Sequence, residues 1–124
     1  MREIKFRGKR VDNGEWVYGY YLKNKNKKET THIIITRWQQ IYGNSFEVIY
    51  ETVGQAINRR DKNKKSIYDG DIINNSGAYV SWNDETLCWC FRFKHDRRLI
   101  ALCRNKNNIF EVIGNINDNP ELMK

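Results

Sequence analysis

The chain has 124 residues, 40% of them hydrophobic and 30% charged, and its 22 basic against 15 acidic side chains leave a net charge of +7. A chain of this length buries roughly two-thirds of its unfolded surface, so it folds without staples as one domain or two very small ones. The composition excludes a disordered or collagen-like protein, no apolar run approaches the ~20 residues of a membrane span, and the cationic surplus favours anionic partners, nucleic acid first.

Almost every periodic segment alternates with period two. Residues 2–7 and 15–22 read as strands, and Asn13-Gly14 between them is a hairpin signal because turn residues at positive φ favour this pair. In the second strand Trp16, Tyr18, Tyr20 and Leu22 share one face, with Val17, Gly19 and Tyr21 on the other. Residues 23–29 are polar and form a loop, residues 30–38 and 46–53 read as strands, and residues 58–65 read as a second charged loop.

The second half is more regular. Asp69-Gly70 turns the chain into the apolar strand Asp71-Ile72-Ile73, and residues 78–83 form the next strand. Leu87, Trp89, Phe91 and Phe93 alternate with Cys88, Cys90, Arg92 and Lys94, which predicts an aromatic core stripe. Residues 99–103 and 110–116 complete a set of five strands, and Asn119-Pro120 starts no more than one helical turn. Short strands at 8–12-residue spacing, with a Gly-Asp turn feeding the first, predict a small SH3-like barrel. The expected organisation is mainly β, with a short N-terminal hairpin region over 1–51 and the barrel over 52–124, as two units or one continuous domain.

Charge is segregated along the chain. Residues 1–28, 58–65 and 92–106 carry surpluses of +6, +4 and +5, and the stretches between and after them are net acidic. Such clusters fit loops gathered on one side of a fold, and equally three unrelated solvated loops. Arg59, Arg60, Lys62, Lys64, Lys65, Arg97 and Arg98 are the candidate phosphate contacts. Exposed aromatics beside such charges stack bases, whereas buried ones fill a core. From the set Trp16, Tyr18, Tyr20, Tyr21, Trp38, Tyr42, Trp82 and Trp89, the sequence selects Tyr21 and Trp82 as exposed candidates.

Other chemistry is thinly represented. Three cysteines, an odd number, with no apolar leader, fit free thiols in a reducing cytoplasm. Cys88, Cys90, His95 and Cys103 have zinc-ligand identities without the paired short-loop spacing of structural zinc sites. Asp69 and Asp71 could share a cation, but turn chemistry explains both. His32 has no nucleophile partner, and no phosphate-binding Gly loop or nucleophile elbow is present. The expectation is a non-enzymatic protein with no catalytic residue, no metal and no cofactor.

The segments Thr52-Val53-Gly54-Gln55, Asp61-Lys62-Asn63-Lys64-Lys65 and Ile67-Tyr68-Asp69-Gly70-Asp71-Ile72-Ile73 resemble the signature of the YopX family of phage and prophage proteins. The opening Arg2-Glu3-Ile4-Lys5-Phe6-Arg7 and the close Glu111-Val112-Ile113-Gly114-Asn115-Ile116 with Asn119-Pro120-Glu121-Leu122 are similar to that family's ends. Two departures stand out: Ala56-Ile57-Asn58-Arg59-Arg60 replaces a Thr-Gly-Leu segment, and Lys64 stands where Gly is usual. The resemblance implies a phage gene product in a bacterial cytoplasm with a C-terminal SH3-like barrel, and it carries over no catalytic residue. The expected role is a binding module for nucleic acid; the alternative is a module that binds or inhibits a host protein. Self-association through open strand edges fits either role, and no membrane association is expected.

Overall fold

Period-two alternation does become strands in the computed structural model, which describes residues 4–36, 44–74, 77–94, 96–102 and 110–123, the side chains of 96–99 and 101 excepted. The sequence candidates Trp38, Tyr42, His95 and Cys103 and the turn at 105–108 lie outside the described residues. The strands form two antiparallel sheets, and the chain divides into two compact units, Met1–Ala56 and Ile57–Lys124. No helix among the described residues is long and apolar enough to cross a membrane.

The first unit contains β1 (Phe6–Lys9), β2 (Trp16–Lys25), β3 (Thr30–Ile35), β4 (Ser45–Glu47) and a 3-10 turn, η1 (Tyr50–Thr52). β5 (Gly54–Arg60) begins in this unit, and the strand order is β4-β3-β2-β1-β5. β1 pairs with β2 in the register Phe6 with Gly19 and Lys9 with Trp16. The connection is wider than a two-residue turn: Arg10 N–H donates to the Glu15 carbonyl and Gly14 N–H to the Arg10 carbonyl. Only Gly14, at φ 72°, takes the positive φ there, and Asn13 instead accepts a hydrogen bond from Glu15 N–H. The predicted strand over 46–53 ends at Glu47, because residues 50–52 close into η1, where Thr52 N–H and hydroxyl both reach the Ile49 carbonyl.

Paired residues share a face, so the registers sort this sheet into two sides. Phe6, Gly8, Gly19, Tyr21, His32 and Ile34 form the inner one. Ile34 is fully buried there, and Gly8 lies against Val48, so that a Cβ at Gly8 would stand 3.0 Å from the valine's own. Arg7, Lys9, Trp16, Tyr18, Tyr20, Leu22, Ile33 and Ile35 form the outer one. The Arg7 guanidinium lies 4.8 Å from the Trp16 ring centroid and the Lys9 ammonium 5.6 Å from it.

The second unit holds the rest of β5, then β6 (Ser66–Tyr68), β7 (Asp71–Ile73), β8 (Tyr79–Asn83), β9 (Cys88–Phe93), β10 (Asp96–Ala101), β11 (Val112–Asn115) and a final 3-10 turn, η2 (Pro120–Leu122). β6 lies next to β5, and the other strands form a sheet in the order β10-β9-β8-β7-β11. Ile67, Ile73, Ala78, Val80, Phe91, Leu102, Phe110 and Val112 make its core, with Ile57, Trp89 and Phe93 packed on it. Phe91 and Phe110 meet edge to face at 5.4 Å, a favoured aromatic geometry. The aromatic stripe of β9 faces this core from Trp89 onward. Leu87 does not: it is the last residue of the β8–β9 turn, at φ 53° and 72% exposed. Cys90, on the opposite side of β9, is also buried, and its thiol donates to the Ser81 carbonyl at 3.4 Å.

Candidate nucleic-acid interface

The 58–65 segment is half strand and half loop. Residues to Arg60 belong to β5, and only 61–65 turn. The turn is organised by one buried carboxylate. Asp61 Oδ1 accepts the N–H groups of Asn63 and Lys65, each at 2.9 Å, and Oδ2 accepts Val112 N–H at 3.0 Å from a strand far along the chain. Asp61 N–H donates to the Lys65 carbonyl, Lys64 N–H to the Asp61 carbonyl and Lys62 N–H to the Phe110 carbonyl. Burial pushes the Asp61 carboxyl upward, but the three backbone N–H donors from Val112, Lys65 and Asn63 and the Lys65 charge outweigh it, and its pKa lies below the ordinary carboxylate value.

Around this carboxylate the cations divide by role. Arg60, Lys62, Lys64 and Lys65 are exposed. Lys62 stands 3.5 Å from Glu111, an exposed pair of small energetic weight. Lys64 takes φ 66°, so the turn that a glycine favours is retained with a lysine in it. Arg59 points elsewhere: its guanidinium donates to the Leu102 carbonyl at 2.7 Å and lies 4.9 Å from the Phe110 ring, which makes it a packing residue of the second unit. Arg97 and Arg98 are on β10, with side chains outside the description. Because the loop's backbone donors are consumed internally, any anion would meet lysine and arginine side chains, which hold phosphates without reading sequence.

Of the aromatic candidates, Trp82 is partly exposed at the end of β8, edge to face with Trp89 at 5.4 Å, and its indole N–H donates to Asp84 Oδ1. Tyr21 is corrected. It lies on the inner face of the first sheet, half-buried, with its hydroxyl 2.5 Å from His32 Nδ1 and its ring against Phe6. Burial and then the neighbouring Tyr50 push its pKa up. His32 is stacked between Tyr21 and Tyr50, a packing position. The aromatics that β2 shows to solvent are Tyr18 and Tyr20, 43% and 41% exposed, followed by Leu22 at 50%. The signal that could have found them is Gly19, which alternation puts on Tyr21's face and which close backbone packing marks as the inner one.

The Asp69–Asp71 pair belongs to a turn. Asp71, buried, accepts Tyr68 N–H at 2.8 Å across the Asp-Gly turn, where Gly70 takes φ 90°. No cluster of three metal-ligating side chains occurs among the described residues, which exclude His95 and Cys103.

The fold and this loop define a mainly-β protein of two antiparallel sheets that presents a fixed basic turn. The family model described as YopX protein matches residues 5–124, nearly the whole chain, and the chain belongs to the YopX family. No curated protein matches it. The resembling segments have visible structural work: Thr52 Oγ1 accepts Lys9 N–H at 2.8 Å, Gly54 pairs with Arg7, and Asp61 and Asp71 each fix a turn.

Proposed function

We propose that this is a non-enzymatic accessory protein of a phage or prophage, working in the bacterial cytoplasm as a nucleic-acid-binding module whose contact surface is the basic turn of the second unit. Arg60, Lys62, Lys64 and Lys65 supply the phosphate contacts, with Arg97 and Arg98 as further candidates on β10. One observation carries the reading. Four exposed cations stand on a five-residue turn and its lead-in strand, held in shape by a buried aspartate rather than left mobile. A pre-shaped cationic turn loses less conformational entropy on binding than a free lysine-rich loop. The second unit is proposed to be SH3-like: its strand order is a four-strand meander whose first strand also pairs with the last, an order that small SH3-like barrels share.

The test is binding of the full chain to labelled duplex DNA at several salt concentrations. Replacing Arg60, Lys62, Lys64 and Lys65 by Ser should weaken binding about tenfold or more at ~150 mM salt and flatten the salt dependence. Unchanged affinity and slope would remove this surface.

A second reading, docking of a host protein, is favoured by exposed apolar groups in the same unit: Trp82, Leu87 and Ile100. If the serine variant leaves DNA binding intact while Leu87→Ser abolishes capture of a stoichiometric host protein, that reading replaces the first.

A further inference from the structure

The outer face of the first sheet carries an exposed strip that the basic turn does not explain. A sheet with one side packed on a core ordinarily shows polar residues on the other. Here Tyr18, Tyr20 and Leu22 follow one another at two-residue spacing on β2, each at about half exposure, and half-buried Ile33 and Ile35 lie opposite Leu22 and Tyr20 on β3. Beyond Leu22 the hairpin carries exposed Lys23, Lys25, Lys27 and Lys28 against the single acid Glu29. Its tip is fixed: Asn26 Oδ1 accepts the N–H groups of Lys28 at 3.0 Å and Glu29 at 2.9 Å, and Asn26 N–H donates to the Glu29 carbonyl.

We infer that Tyr18 and Tyr20 are a stacking platform for two neighbouring bases of a single-stranded nucleic acid, whose backbone continues toward Lys27 and Lys28 at the tip of the β2–β3 hairpin. Residues i and i+2 on a strand stand roughly 6.5–7 Å apart, which suits two bases splayed along an extended single strand. The rings lie on a regular strand rather than on a loop, so they are held in place before binding. Base faces are available to an aromatic ring only when unpaired, which selects a single strand over a duplex. A protein partner fits less well, because lysines are depleted in protein–protein interfaces and Lys27 and Lys28 stand at the hairpin tip just beyond this strip, while Lys23 and Lys25 fall on the opposite face of β2. The ligand class is shared with the reading above, but the surface is a different one, in the first unit, and neither depends on the other.

The experiment titrates the full chain with a labelled oligothymidylate of about fifteen nucleotides and with a duplex of equal length. Tyr18→Ala and Tyr20→Ala should each weaken oligothymidylate binding at least about fivefold, with duplex binding and the salt slope unchanged. Tyr18→Phe and Tyr20→Phe keep the ring and should bind within about twofold of the parent, which separates stacking from loss of fold. The serine variant of the 60–65 turn should lower duplex binding. If the alanine variants bind oligothymidylate like the parent, the platform is overturned and the basic-turn reading stands. If the serine variant alone is silent, the basic turn falls and the platform stands. Phenylalanine variants as weak as the alanine ones would overturn stacking. Failure of the parent to bind oligothymidylate, with a concentration-dependent dimer that the alanine variants abolish, would assign the strip to a second copy of this chain and overturn the inference.

Discussion

Lys64 holds a left-handed backbone conformation at the centre of the proposed contact surface, and its cost and its charge can be separated. A non-glycine residue at φ 66° is strained by about 1–2 kcal/mol, and Asp61 imposes that conformation through the N–H groups on either side of Lys64. Lys64→Gly releases the strain but gives the unfolded chain more freedom, worth about 0.4–1 kcal/mol. The expected net is a gain of about 0.5–1 kcal/mol in stability, read by denaturant unfolding. The same variant loses one cation from the turn, so DNA affinity should fall while stability rises. Lys64→Ser loses the charge and keeps the strain, so it should match the glycine variant in affinity and not in stability. A glycine variant that binds DNA more tightly would show that the turn's shape, not its charge, governs binding.

At the scale of elements, β2 can sit between β1 and β3 because Gly19 has no side chain. A Cβ there would collide with the Ile35 carbonyl oxygen and come within 3.0 Å of Thr36 Cα, both backbone atoms that cannot rotate away. Gly19→Ala should therefore cost roughly 2–4 kcal/mol in urea unfolding, among the larger single-residue effects. Gly14 is a useful contrast: it takes φ 72° in open space, so Gly14→Ala bears only the backbone strain of about 1–2 kcal/mol. The same element shows what the sequence makes legible. β2, β3, β8 and β9 are readable because apolar residues alternate over enough positions to identify a strand. β5 is not, because its two buried positions after Thr52 are Gly54 and Ala56, too small to register as an apolar stripe, and its end is Asn58-Arg59-Arg60. The charged end looks like loop, yet Arg59 is drawn inward by a carbonyl and an aromatic ring supplied from distant segments. Tyr21 fails for a related reason: alternation separates the two faces of β2 without saying which one is buried. The basic turn was visible as charge, but not its scaffold, since the partner that fixes Asp61 is Val112, 51 residues away.

For the whole molecule, the buried carboxylate of Asp61 and the cationic surplus both shape the response to acid. Asp61 has its folded-state pKa depressed by the N–H donors of Val112, Lys65 and Asn63 against the opposing effect of burial. A depressed folded pKa means the unfolded state binds more protons at mildly acidic pH, so this contribution is complete above the unfolded value near 3.9 and is lost as pH falls through the folded value. The chain is also +7 near neutrality, so protonating its exposed carboxylates leaves the basic clusters with fewer counter-charges and raises self-repulsion. Both effects act in the same direction, and salt tells them apart. The unfolding midpoint should hold steady from pH 7 to about 5 and then fall toward pH 3. Added salt should restore the part due to surface repulsion, which is screened, and not the part due to Asp61, which is buried. Asp61→Asn should be less stable at pH 7, because its amide cannot accept the whole set of N–H donors, and its acid decline should be shallower, with the difference falling in the part that salt does not rescue. A parent profile that salt restores completely would mean that Asp61 contributes shape without ionic stabilisation, and that the acid response belongs to the surface charge alone.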